Sequence, residues 1–189
     1  MNKAALLIGG NQGDRHALIN EATALIQERI GTVALVSGIY ETEPWGNFEI
    51  ENSKLKIEKF LNRALLVETP LPAFEVLREA LAIEASLGRH RPTSDTSITS
   101  NSSTTSYTSH TSYTSPTSNT SPPRKYHSRP MDIDLIFYNE EIIDTEELTI
   151  PHPRAHLRRF VLEPLAEIIP DYRHPILGCT VKELLQQQQ

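Results

Sequence analysis

Two aspartates stand two residues apart inside an apolar run, in the stretch RPMDIDLIFYN from Arg129 to Asn139. In a strand successive side chains alternate, so Met131, Ile133, Leu135 and Phe137 would share one face while Asp132 and Asp134 project side by side from the other. Two carboxylates at that spacing on a half-buried surface repel each other and lose hydration unless a cation sits between them. Basic residues come in three clusters: GRHRP (Arg89, His90, Arg91), PRKYHSRP (Arg124, Lys125, His127, Arg129) and PHPRAHLRR (His152, Arg154, His156, Arg158, Arg159). Such a set around an aspartate pair suits a polyphosphate held by arginines and bridged to the carboxylates by Mg2+. The simpler arrangement pairs the arginines directly with the aspartates, or leaves them as solvated surface charges.

Composition narrows what else the chain could do. At 189 residues it is long enough for one domain with a real core and short for two, so residues 1–189 are expected to form a single domain. Eighteen Lys and Arg against 24 Asp and Glu give a net charge of -6, which argues against general nucleic-acid binding and leaves room for a small anion recognised locally. The lone Cys179 has no partner for an internal disulfide, as suits a reducing compartment, and its bland reading is a buried thiol. The apolar run Ala4–Ile8 turns polar too soon for a signal peptide or a membrane span. A cytoplasmic protein is expected.

The positioning elements can be read from period and punctuation. Ala4–Ile8 followed by Gly9-Gly10 reads as a central strand, and Asp14 can cap a helix whose apolar face is Leu18, Ile19, Ala22, Leu25 and Ile26, with Gly31 at its end. TVALVSGIYE reads as one strand from Thr32 to about Glu41, closed by Pro44, and KFLNRALLVET as another. Thr69-Pro70 would start a second amphipathic helix, stopped by Gly88. The aspartate strand follows, with YNEE as its turn and a helical region from about Arg154. Strand, helix, strand, strand, helix, strand is the order of an α+β ferredoxin-like βαββαβ sandwich, an antiparallel sheet with two helices on one face, here with a C-terminal helical extension.

One long interruption separates the second helix from the aspartate strand. Thr93–Ser121 holds 29 residues, 21 of them Ser or Thr, in near-triplets such as TSY TSH TSY TSP TSN. It cannot bury enough apolar surface to offset about 1–2 kcal/mol per residue of backbone ordering, so a disordered low-complexity insert is expected.

Taken together, IGGNQGD, YETEPWG, FLNRALLVET, IEASLGRHR, SRPMDIDLIFYN and LTIPHPRAHLRRFVLEPL resemble, in order and over nearly all the chain outside the insert, the 6-hydroxymethyl-7,8-dihydropterin pyrophosphokinases of the folate pathway. The resemblance implies pyrophosphoryl transfer from ATP to a pterin alcohol, with two Mg2+ ions on Asp132 and Asp134 and ATP as co-substrate. It implies that Arg89, Arg91, Arg129 and Arg158 contact the triphosphate, that His152 bonds a phosphate oxygen or the nucleotide, and that Glu84, Tyr126 and Thr149 lie on the nucleotide side. On the pterin side it implies Asn62 reading the polar edge of the ring, with Thr42, Glu43 and Trp45 nearby and Phe60 and Phe160 sandwiching the ring. No obligate protein partner is implied. Phe60 stands where the family often has Tyr, Arg63 where a small residue is usual, Tyr126 near a frequent Trp, and the insert falls in the loop that closes over ATP in this family.

Two rival readings remain at this level: a small-molecule-binding regulatory module, common for this fold, and an inactive pyrophosphokinase spoiled by the insert. The insert can be tested directly. Each doubling of loop length costs only about 0.6 kcal/mol in closure, so joining Pro92 to Pro122 should leave the fold intact and AMP formation within about tenfold of the parent. A deleted protein that keeps its circular dichroism but loses a thousandfold in turnover would contradict this.

Overall fold

The structure is a computed structural model, and it describes residues 1–44, 58–88 and 129–188. The expected insert, together with Trp45, Arg89, Arg91 and Tyr126, lies outside the described residues. The chain builds β1 (Asn2–Gly10), α1 (Arg15–Arg29), β2 (Thr32–Val36), β3 (Tyr40–Thr42), β4 (Phe60–Thr69), α2 (Ala73–Ser86), β5 (Asp132–Tyr138), β6 (Ile143–Asp144) and β7 (Thr149–Ile150). A 3-10 turn at Ala155–Leu157 then leads to α3 (Arg159–Ile168) and α4 (Val181–Gln186).

The principal sheet runs β2-β4-β1-β5, with β3 also pairing to β4, and its paired neighbours are antiparallel. Its two faces are covered differently. Ala4, Leu6, Ile8, Val67 and Ile133 pack with Ile19, Ala22 and Ile26 of α1 and Val76, Ala80 and Ile83 of α2. Ala5, Leu7, Ala64, Ile136 and Phe137 pack with Val161, Leu162 and Leu165 of α3 and Val181 and Leu184 of α4. Alternation along β1 therefore feeds two cores, and the C-terminal helices close the second face.

Local chemistry explains where the elements begin and end. The Asp14 side chain accepts the Ala17 N–H at 3.0 Å as the cap of α1, and Gly88 ends α2 with φ +91, as expected. Helix α2 starts three residues later than Thr69-Pro70 suggested, because the Thr69 hydroxyl donates to the Ile30 carbonyl at the end of α1 and accepts the Leu71 N–H. The single strand expected from Thr32 to Glu41 is two. Ser37 Oγ accepts the Ala64 N–H at 2.9 Å in place of a ladder carbonyl, and Glu167 on α3 accepts from Gly38 N at 2.9 Å and from the Tyr40 hydroxyl at 2.9 Å, which bends the chain between β2 and β3.

The aspartate strand also departs from simple alternation. Ala5 pairs with Phe137 and Leu6 with Leu135, so Ile136 is an extra residue on β5. This bulge turns Phe137 away from Met131, Ile133 and Leu135 and onto the second face, where its ring lies 4.5 Å from that of Tyr172. Phe137 therefore does not share a face with those three residues.

Two glycines make contrasting predictions. A Cβ on Gly10 would collide with the Pro130 backbone carbonyl, whereas one on Gly178 would meet nothing within 4 Å and would suffer only from φ +70. Gly10→Ala should cost about 3 kcal/mol, because backbone must move, and Gly178→Ala about 1 kcal/mol. Equal unfolding midpoints for the two variants in denaturant titrations would contradict this placement of Pro130.

Candidate active site

Sheet register sets the site. Gly9 of β1 pairs with Asn62 on one side and Asp132 on the other, and one step along Leu7 pairs with Ala64 and Asp134. Residues opposite one another across strands face the same way, so Asn62, Asp132 and Asp134 lie on the second face, beyond the apolar patch that α3 covers. At about 4.8 Å per strand, the backbones of Asn62 and Asp132 are roughly 10 Å apart. Gly9 between them carries no side chain, and a Cβ there would approach Asn62 Oδ1 to 2.5 Å. Asn62 is buried and donates from Nδ2 to Thr42 Oγ1 at 2.8 Å.

The aspartates meet arginines from two segments. Arg129 Nη1 donates to Asp132 Oδ2 at 2.7 Å, so direct pairing holds for one carboxylate. Burial pushes the Asp134 carboxyl up to about 7 and the neighbouring Asp132 charge adds to this, while Arg158 and Arg129 pull it back only in part. An oxygen-donor pair with this unresolved charge fits Mg2+, which commonly takes one or two carboxylates and completes its shell with phosphate and water. Among the described residues no group of three or more His, Cys, Asp and Glu side chains is arranged to hold a metal ion.

The third basic cluster is anchored by the bulge. The His152 N–H donates to the carbonyl of Ile136 at 2.9 Å, after a cis Ile150–Pro151 peptide. Burial, then the charges of Arg158 and Arg154, push the imidazole down to about 4, so the ring is neutral at pH 7. Its Nδ1 accepts the Arg154 N–H at 3.3 Å, which leaves the ring proton on Nε2 as a donor. Burial lowers Arg158 as well, against the pull of Asp134 and Asp132, and its guanidinium lies 5.7 Å from the centre of the Phe160 ring.

The other site residues are less concentrated. Glu84 is 1% exposed beneath β5, where Oε1 accepts the Ile133 N–H at 2.8 Å. Thr149 pairs with Asp144 in the small β6-β7 sheet. Phe60 pairs with Thr42 at the mouth of β4, and Glu43 forms an ion pair with Lys59 at 2.9 Å. Arg63 reaches toward α1, where Nη1 lies 3.4 Å from Asn20 Oδ1. The structure thus gathers Arg129, Asp132, Asp134, His152 and Arg158, and separately Asn62 with Thr42. The sequence places Arg154, whose buried Nε has no hydrogen-bond partner among the described residues, in the third basic cluster without a contact of its own, and gives no role to Asn11. A basic residue amid four others and an amide in a glycine turn carry no distinguishing pattern.

A sequence model of the 7,8-dihydro-6-hydroxymethylpterin-pyrophosphokinase (HPPK) family matches residues 5–101 and 116–170. The chain belongs to this family. The gap between the two matched segments falls inside the Ser/Thr triplets. A Bacillus subtilis protein named 2-amino-4-hydroxy-6-hydroxymethyldihydropteridine pyrophosphokinase is 34% identical over 168 residues, 88% of this chain and 78% of the relative. A Methylorubrum extorquens protein of the same name is 32% identical over 186 residues, 98% of this chain and 92% of the relative. The crystal structure of Plasmodium falciparum HPPK-DHPS with pteroate shares the fold with TM-score 0.65 and 18% identity, over 98% of this chain and 42% of that one.

The Asp134 environment gives a pH prediction. Because the folded-state pKa lies above the ordinary value, the native state binds the extra proton, and the ligand-free protein should lose stability as pH rises from about 4 to about 7. Asp134→Asn should remove that slope, so its thermal midpoint should overtake the parent's by several degrees between pH 5 and pH 8. Parallel pH profiles for the two proteins would contradict this.

Proposed function

We propose that the chain transfers the pyrophosphoryl group of ATP to 6-hydroxymethyl-7,8-dihydropterin, giving the pterin diphosphate and AMP, as the folate-pathway activity of its family. The observation that supports this best is the row Asn62, Gly9, Asp132 across three adjacent strands, an amide and a carboxylate facing the same way with a side-chain-free gap between them. The strand order is read as a ferredoxin-like sandwich, which puts this row at one end of the sheet.

The reaction asks for positioning and charge balance more than for covalent chemistry, so no nucleophilic side chain is needed. Asn62 would hold the polar edge of the pterin, with Thr42 fixing its amide and Glu43 and Trp45 close by, while Phe60 and Phe160 enclose the ring. Arg89, Arg91, Arg129 and Arg158 would grip the triphosphate, His152 would donate from Nε2 to a phosphate oxygen, and Glu84, Tyr126 and Thr149 would flank the nucleotide. Asp132 and Asp134 would hold Mg2+, two ions by the family pattern, which when bound neutralises charge on the phosphate oxygens. The pterin hydroxyl oxygen then bonds to the β-phosphorus in line, and the bond to the α-phosphate oxygen breaks to release AMP.

Among the described residues no helix is long and apolar enough to cross a membrane. A cytoplasmic enzyme that needs no obligate protein partner is part of the proposal. A coupled assay should show AMP formation that depends on both ATP and the pterin. Asn62→Ala should weaken pterin binding by about 1–3 kcal/mol and leave ATP affinity nearly unchanged. Tight pterin binding without AMP formation would instead favour a regulatory module, and equal losses for both ligands would mean that β4 itself was damaged.

A further inference from the structure

The turn after β1 contains a buried amide outside the groups assigned to ATP, metal and pterin. Asn11 is 2% exposed. Its Oδ1 accepts the Arg129 N–H at 3.0 Å, and its own N–H donates to the Arg129 carbonyl at 3.1 Å. Its Nδ2 donates to the Glu58 carbonyl at 3.4 Å. Arg129 leads directly into Asp132, with which its guanidinium pairs, and Glu58 leads into Phe60 and Asn62. One side chain therefore touches the backbone on the nucleotide side and on the pterin side.

The two ends of this bridge are held differently. The Glu58–Phe60 stem has other fastenings: Arg15 Nη1 donates to the Lys59 carbonyl at 2.7 Å and pairs with Glu41 at 3.4 Å, and Lys59 pairs with Glu43 at 2.9 Å. The Arg129 backbone is bonded to Asn11 at both its N–H and its carbonyl. A side-chain amide offers an acceptor to one backbone and a donor to another from two separate atoms, so the two bonds do not share one atom as they would in a hydroxyl. Aspartate has the same shape but only acceptors, so it would keep the bond to Arg129 and oppose the Glu58 carbonyl.

We propose that Asn11 is a positioning residue that sets Arg129 against Asp132 through its amide oxygen and sets the Glu58–Phe60 stem through its amide nitrogen. The kinetic part of this rests on the pyrophosphokinase reading, while the geometric part does not. Two variants of the full chain separate the arms. Amide hydrogen exchange at Arg129 should be slow in the parent and in Asn11→Asp, and faster by on the order of tenfold or more in Asn11→Ala. The KM for the pterin should rise about fivefold or more in both variants, since both lose the bond to Glu58. Fast exchange at Arg129 in the parent would overturn the proposal even if neither variant folds. So would unchanged exchange in Asn11→Ala, or a lowered thermal midpoint with the pterin KM unchanged in both variants, which is the mark of a purely structural amide. A parent that makes no AMP would instead defeat the pyrophosphokinase reading, and the exchange measurement would still decide the clamp.

Discussion

The repulsion between Asp132 and Asp134 is the constraint around which the site is arranged. Both carboxylates leave one face of β5, and only Asp132 is paired by Arg129 in the described residues' ion pairs, at 2.7 Å. Asp134 is left with burial and a like charge, and the arginine charges acting on it offset these only partly. A site in this condition gains most from a ligand that brings cations to the carboxylates and anions to the arginines together. A metal-bound triphosphate has that composition.

The rest of the fold delivers groups to this pair. The extra residue in β5 frees the Ile136 carbonyl for the His152 N–H, which brings the Arg154–Arg158 segment alongside the aspartates. Gly9 and Gly10 let β1 lie close to both Asn62 and Pro130, where any side chain would collide. Glu167 ties the bend before β3 to α3, so the strand carrying Thr42 and the helix carrying Phe160 are fixed to each other. The hydrophobic part of the second face stops where these polar groups begin, and the same alternation along β1 that builds the two cores leaves Leu7 beside Asp134.

Periodicity made much of this visible in the sequence. Asp14, Gly88 and the apolar stripes of α1 and α2 act locally, through caps and faces that short-range spacing encodes. The elements that differ from the sequence expectation depend on distant partners. Phe137 looks like one more apolar residue in an alternating strand, and only its pairing with Ala5 shows the bulge. Ser37 and Glu167 are 130 residues apart in the sequence, yet together they break what reads as one strand. Thr69 resembles a helix cap, but Ile30 takes its hydroxyl. Asn11 sits in a glycine turn where its amide gives no hint of Arg129, because that partner lies 118 residues away. The site is legible in the sequence as a set of residue types and as two aspartates on one strand face, while the cross-strand geometry that joins them to Asn62 and His152 is not.

The most direct test is calorimetric titration of a non-hydrolysable ATP analogue, with and without Mg2+, into the parent and into a variant carrying both Asp132→Asn and Asp134→Asn. In the parent, Mg2+ should tighten binding by at least about tenfold, or about 1.4 kcal/mol. In the variant that enhancement should disappear, while metal-free nucleotide binds as well as before or better, since two anions no longer oppose its phosphates. Equal enhancement by Mg2+ in both proteins would show that the aspartate pair is not where metal and triphosphate meet.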